Sequence, residues 1–303
     1  MKHPPRNIAA SVHQRLKNVA DKSGERFNDL LQHYALERFL CRLAASPHRD
    51  RFVLKGALML RVWDVATIRP TRDIDLLGRT ANEPERVTAM IQDICSAQVE
   101  ADGLEFDAES VVVARIAEEA EYDGIRANFS GRLGNARIVM QVDIGFGDRI
   151  TPEPVAIDYP SVLGTTRARL MGYTPETTIA EKLHVMLKRG TLNSRMKDFF
   201  DIWALSRARS FDGRVLSLAI RATCEQRETP VLVSPPALEP EALNDRQSAL
   251  QWAAFRRRLG ASDAPETFAE VGGWVARFLR PVLEAVAAGR SLDRVWPASG
   301  PWK

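Results

Sequence analysis

The chain has 303 residues, of which 45% are hydrophobic and 27% charged, with a net charge of +3. That length holds one large domain or two medium ones with a real hydrophobic core, and the composition is that of a globular protein. The mild positive charge suits a polyanionic partner without demanding one, because a total says nothing about clustering.

Three cysteines, Cys41, Cys95 and Cys224, are odd in number and far apart. They form neither a disulfide framework nor a zinc spacing, which argues for a reducing compartment. The opening residues, Met1 to Asn18, are basic but lack the apolar core of a signal peptide. No apolar run is long enough to cross a bilayer. A cytoplasmic protein with no membrane partner is the expectation.

In chain order, Ile8 to Ala45 reads as two helices. Val12, Leu16 and Val19 mark the first, Gly24 ends it, and Phe27, Leu30, Leu31, Tyr34 and Phe39 mark the second. A short apolar helix, Ala57–Trp63, follows Lys55-Gly56. Thr71 to Leu77 reads as a strand, and Pro84–Ala97 as a helix. Strands follow at Val111–Ile116, Ile125–Phe129 and Ile138–Ile144, rich in β-branched residues and separated by Gly and Asn turns.

From Thr177 onward the period is helical, with candidate helices at Thr177–Lys188, Arg195–Ala208, Arg214–Glu225, Glu239–Leu259 and Pro265–Ala288. Prolines break the pattern near residues 230–240 and after Trp296, and the last residues read as a frayed tail. The fold class expected is α+β: a mixed sheet with flanking helices in residues 1–170, and an all-α half in 171–303.

Asp73 and Asp75 carry the clearest chemistry. Alternate strand residues point to one side, and two carboxylates there repel unless a cation lies between them or one is protonated. Magnesium favours such oxygens together with substrate phosphates. Apolar Ile74, Leu76 and Leu77 mark the strand as central; the plainer alternative is an edge with two solvated acids.

Asp143, in Val139-Met-Gln-Val-Asp-Ile-Gly, is an acid in an apolar run and needs a partner, for which a bound cation is one candidate. A salt bridge to an arginine is its equal alternative. Asp148 is less suited, because Gly147-Asp148 reads as a turn. Lys55-Gly56-Ala57 opens a short helix whose backbone amides can approach phosphate. A simple helix start explains those three residues as well.

A Gly-led helix followed by an Asp-x-Asp strand resembles the core of the DNA polymerase β-like nucleotidyltransferases. Two further stretches sharpen the resemblance: Thr178-Ile-Ala-Glu-Lys182-Leu-His184, and Arg195-Met-Lys197-Asp198-Phe-Phe-Asp201. With Lys55-Gly56 and Asp73-Ile-Asp75, they stand in the order found in the AbiEii/MenT group of type IV toxin–antitoxin nucleotidyltransferases. The matches run from about Phe52 to Trp203, roughly half of the chain. One departure is the turn, which here is Gly56-Ala57 in place of Gly-Gly or Gly-Ser.

The resemblance implies a bilobed enzyme in which Asp73, Asp75, Lys182 and Asp198 are catalytic. It implies Mg2+ held by Asp73, Asp75 and Asp143, and an NTP bound at Lys55, Gly56, Ala57 and Lys182. It implies a tRNA 3′ end as acceptor and a cognate antitoxin as partner. Lys188, Arg189, Arg195 and Lys197, a cluster with no acid before Asp198, are candidates for the RNA backbone; a solvated basic surface is their alternative. Asp198 and Asp201 share a helix face, and the residues taken without the resemblance favour ion pairing with Arg195, Lys197 or Arg209. Two rival functions remain: transfer to a small molecule or a protein hydroxyl, and a non-catalytic nucleotide- or RNA-binding module.

Overall fold

The computed structural model describes residues 7–65, 69–118, 122–260 and 263–303. The first six residues of the opening segment therefore lie outside the described residues. The chain forms two compact units. The first comprises Met1–Val62, Pro70–Asp148 and Val155–Gly172; the second comprises Trp63–Arg69, Arg149–Pro154 and Tyr173–Lys303.

The first unit begins with α1 (Ile8–Ser23), capped by the Asn7 side chain and closed by Gly24 at φ +74°. Next is α2 (Phe27–Ala45), buried almost all round from Leu30 to Leu43, as expected of a core helix. Its charges are paired: Arg42 binds Asp102 at 2.7 Å. Then follow β1 (Phe52–Lys55), α3 (Met59–Val62), β2 (Asp73–Gly78), α4 (Pro84–Ser96), β3 (Leu104–Glu118), β4 (Tyr122–Leu133), β5 (Ala136–Phe146), β6 (Val155–Asp158) and β7 (Arg169–Gly172). The seven strands form one mixed sheet in the order β3-β4-β5-β2-β1-β7-β6. β2 runs antiparallel to β1 and parallel to β5.

Alternation decides which face is covered. Ile138, Met140, Val142 and Ile144 of β5, Ile74 and Leu76 of β2, and Ile125, Ala127 and Phe129 of β4 are all buried. Phe39 of α2 meets Phe129 and Phe106 through ring contacts, so the helical layer lies on this side. Asp73, Asp75 and Asp143 alternate with those apolar residues and emerge on the opposite face.

The second unit is helical: α5 (Pro175–Arg189), α6 (Met196–Ala208), β8 (Phe211–Asp212), α7 (Gly213–Gln226), α8 (Pro240–Leu243), α9 (Arg246–Leu259), α10 (Phe268–Ala287) and β9 (Val295–Trp296). Two expectations fail here. The single helix over Glu239–Leu259 is two helices, because the Asp245 side chain accepts from Ser248 N at 2.8 Å and starts a new one. The tail is packed rather than frayed: Val295 and Lys303 exchange two backbone hydrogen bonds, and Trp302 Nε1 donates to Phe278 O at 2.9 Å. Trp296 is buried, against Phe278 and Trp302.

A carboxylate centre and a buried charge network

β2 is the central element of the first site. Its register places Lys55, Asp75 and Asp143 opposite one another on β1, β2 and β5, and Arg126 of β4 opposite Asp143. Two carboxylates thus stand side by side with a cation at each end of the row. Arg126 donates to both oxygens of Asp143, at 2.8 and 2.7 Å, and Gln141 Nε2 adds a bond of 3.1 Å. Lys55 Nζ donates to Asp148 Oδ2 at 3.1 Å.

Asp73, Asp75 and Asp143 each bring a carboxylate oxygen within 4.8 Å of the others. The Thr71 hydroxyl donates to Asp73. An all-oxygen donor set with neither thiolate nor imidazole fits a hard divalent cation. Asp143 is thus both the ion-pair partner of Arg126 and a member of the carboxylate group, with Arg126 and Gln141 each contacting both of its oxygens.

The turn beside the row needs a glycine. Gly56 has φ +74°, and a Cβ added to it would lie 1.9 Å from Asp75 Oδ2. Gly56 opens a single 3₁₀ turn, Gly56–Leu58, which leads directly into α3. Ala57 is buried there.

The helical unit carries a second cluster. Lys182 on α5 reaches Asp198 Oδ1 at 2.9 Å and Asp201 Oδ2 at 2.6 Å, both on α6. Arg195 holds the other oxygen of Asp198 at 2.8 Å. Arg69 closes the network on Asp201, at 2.9 and 3.2 Å. Both aspartates are 1% exposed, so the pairing is what makes their burial tolerable.

Burial opposes ionisation of Asp198, yet Lys182 and Arg195 pull its pKa down to about 2. Burial likewise opposes ionisation of Asp201, and Arg69 and Lys182 overcome it, lowering its pKa. For Lys182 burial disfavours the ammonium, but the two carboxylates outweigh it and raise its pKa. Lys197 is pushed the other way, by burial and then by Arg195 and Arg69, and it makes no ion pair among the described residues.

The partners foreseen for Asp198 and Asp201 need correction. Arg195 is one, but Arg209 is not: it donates to Trp63 O. Lys197 pairs with neither. Lys188 is exposed and Arg189 half-buried at the end of α5. The sequence reading names no role for Arg126, Gln141, Thr71 or Arg69. Arg126 was findable, because it alternates with buried Ile125 and Ala127 and so faces the side that Asp143 faces. Thr71 and Arg69 left no signal; Arg69 meets Asp201 across 132 positions. His184 is structural in this setting, with Nε2 3.0 Å from Thr229 Oγ1.

Among the described residues no helix is long and apolar enough to cross a membrane. The sequence matches the family described as nucleotidyl transferase AbiEii toxin, type IV TA system, over residues 38–273, more than half of the chain. Two crystal structures are similar to it. One is a candidate nucleotidyltransferase from H. pylori, at 15% identity and a TM-score of 0.47, covering 84% of this chain and 96% of that one. The other is JHP933 from Helicobacter pylori, at 14% identity and a TM-score of 0.48, covering 86% and 96%. No curated protein shows significant similarity.

Proposed function

The chain belongs to the AbiEii family of type IV toxin nucleotidyltransferases, and on that premise we propose that it transfers a nucleoside monophosphate from an NTP to the 3′ end of a tRNA. The observation that supports this most is the convergence of Asp73, Asp75 and Asp143 within 4.8 Å, beside a glycine turn, on one sheet face.

Asp73, Asp75 and Asp143 would hold Mg2+. A divalent ion bound there offsets phosphate charge and lowers the pKa of an attacking hydroxyl. The chain's own contribution is positioning and electrostatics, as in phosphoryl transfer generally. The backbone amides of Gly56 and Ala57 would be offered to the phosphates, and the bare Cα of Gly56 leaves the room that the Asp75 carboxylate occupies. Lys55 adds a cation beside that turn, held in place by Asp148. Arg126 and Gln141 fix the rotamer of Asp143 before substrate arrives.

The motif match assigns Lys182 and Asp198 to turnover, with Lys182 as a nucleotide contact. It also motivates Lys188, Arg189, Arg195 and Lys197 as contacts to the RNA backbone. A tRNA whose terminus is modified is not aminoacylated, which would account for toxicity. The family's type IV system implies a cognate antitoxin.

The test is incubation with each labelled NTP, magnesium and total tRNA, followed by a denaturing gel. Label should enter intact tRNA and not tRNA whose 3′-terminal ribose has been oxidised. Equal labelling of both sinks the 3′-hydroxyl assignment. Label that enters a protein or a small molecule instead sinks the tRNA assignment and leaves the nucleotidyltransferase.

A further inference from the structure

The sheet face that bears the three aspartates continues well beyond them. Register places Arg126, Asn128, Ser130 and Arg132 of β4 on that face, opposite Asp143, Gln141, Val139 and Arg137 of β5. Val112 of β3 joins it opposite Asn128. This surface is open: Val112 and Val139 are 65% and 66% exposed, and Asn128, Arg132 and Arg137 are exposed too.

Its far end holds an arrangement that folding alone disfavours. Arg132 and Arg137 are direct register partners beside the two-residue Gly134-Asn135 turn. Like charges directly opposite destabilise a strand pair. Neither arginine makes an ion pair among the described residues. Glu105 stands opposite Arg132 on β3 without pairing to it. Asp107, the other acid on this face, accepts from the amides of Glu109 and Ser110 at a β-bulge. Two adjacent guanidinium forks that no carboxylate pairs among the described residues suit phosphate oxygens.

We propose that this face seats the acceptor as a single polynucleotide strand. The strand lies along β4 and β5, its backbone phosphates held by Arg132 and Arg137 and its terminal hydroxyl delivered to Asp75 and Asp143. The inference rests on the reading of the acceptor as RNA. At about 3.3 Å per residue, the run from Arg137 to Asp143 spans about 20 Å, the length of a few extended nucleotides. Between the two ends, Val112 and Val139 offer apolar area to base faces, while exposed Asn128 offers an amide to base edges. A polyanion relieves the repulsion between the two arginines at several points at once, which a neutral acceptor does not.

The experiment uses the full chain and a fluorescent single-stranded RNA of roughly ten nucleotides, within usual single-strand site sizes. Binding is followed by anisotropy over a salt series. The paired substitution Arg132→Ser with Arg137→Ser is compared with a charge-matched control, Arg290→Ser with Arg294→Ser, on the exposed C-terminal segment. The first pair should weaken binding about tenfold near 0.1 M salt and reduce the log–log salt slope by about 1.4, or about 0.7 for each lost phosphate contact. Its melting temperature should hold or rise, because the repulsion is removed. The control should leave the slope unchanged.

No binding by the wild type, an unchanged slope in the first pair, or equal losses in both pairs overturns the proposal. So does an acidic peptide that displaces the RNA at equal charge concentration. Failure of the RNA-transfer reading looks different: wild type then labels no RNA, while the Arg132/Arg137 effect on binding persists. Undiminished labelling of RNA by the double variant, with unchanged KM for RNA, removes the surface and leaves the reading intact.

Discussion

Gly56 and Asp75 occupy the same small volume: a methyl group on residue 56 would stand 1.9 Å from the Oδ2 atom of residue 75. The missing side chain of one is the space for the carboxylate of the other. Gly56→Ala must therefore rotate Asp75 or shift the turn, and its φ of +74° adds strain. Transfer should fall about 10²-fold, the scale associated with displacing a reacting group by an ångström. Single-turnover labelling with a thermal melt alongside decides it. A folded Gly56→Ala protein with wild-type turnover would show that the position of Asp75 does not matter.

Asp73→Ala and Asp75→Ala should abolish transfer, and Asp73→Ala should leave the apo protein as stable as the wild type or more so, since it removes one member of a group of neighbouring carboxylates. Asp143 separates two roles. Asp143→Asn keeps one acceptor oxygen for Arg126, turns the other into a donor, and loses the charge a cation needs. If Asp143 is a metal ligand, this variant should lose activity and show weakened Mn2+ binding by titration calorimetry. Retained metal affinity would reduce Asp143 to the anchor of Arg126.

The Lys182 network should govern acid stability. The folded pKa of Asp198, about 2, lies below the usual aspartate value of about 3.9. A depressed carboxylate stabilises the fold fully above its unfolded pKa and loses that contribution as pH falls through its folded value. Asp201 is shifted in the same direction. Stability should thus decline between about pH 4 and about pH 2, and Asp198→Asn should flatten that decline. Urea midpoints across the range test this; parallel curves for the two proteins would count against the network.

Lys182→Met should destabilise by about 3–5 kcal/mol, because it removes the cation shared by two buried carboxylates. As a proposed nucleotide contact, Lys182 should also matter to turnover: Lys182→Ala should cut kcat/KM roughly tenfold or more in protein still folded at low temperature. Loss of stability with unchanged kcat/KM would make the residue purely architectural.

Trp296→Ala should cost about 3–5 kcal/mol, the usual range for a buried tryptophan, by opening the cluster of Phe278, Trp296 and Trp302 and removing the indole donor to Ser206 O. A shift in Tm of less than a degree or so would contradict the packing of the last segment.

The sequence was informative wherever period and chemistry agreed. Asp73-Ile-Asp75 alternates, so both acids had to share a face once Ile74 belonged to the core. Its failures have physical causes. β1, β6 and β7 are each four residues long, too short for alternation to distinguish a strand from a loop. Asn244-Asp245 read as the polar face of one long helix, because Asp serves mid-helix and as a cap alike. Trp296 to Lys303 read as a tail from its Pro and Gly content, while its tryptophans carried the burial signal. The Arg69–Asp201 pair depends on tertiary placement, which no local pattern encodes.

The alternation in β2 has one more consequence. Ile74 and Leu76 are completely buried, and the aspartates between them face outward. Sliding this strand by a single residue would drive both acids into hydrocarbon and bring the aliphatic side chains to the surface. An odd-numbered insertion within Asp73–Gly78 would therefore unmake core and chemistry in the same stroke. The aim of the carboxylates is inherited from the packing beneath them and has no adjustment of its own.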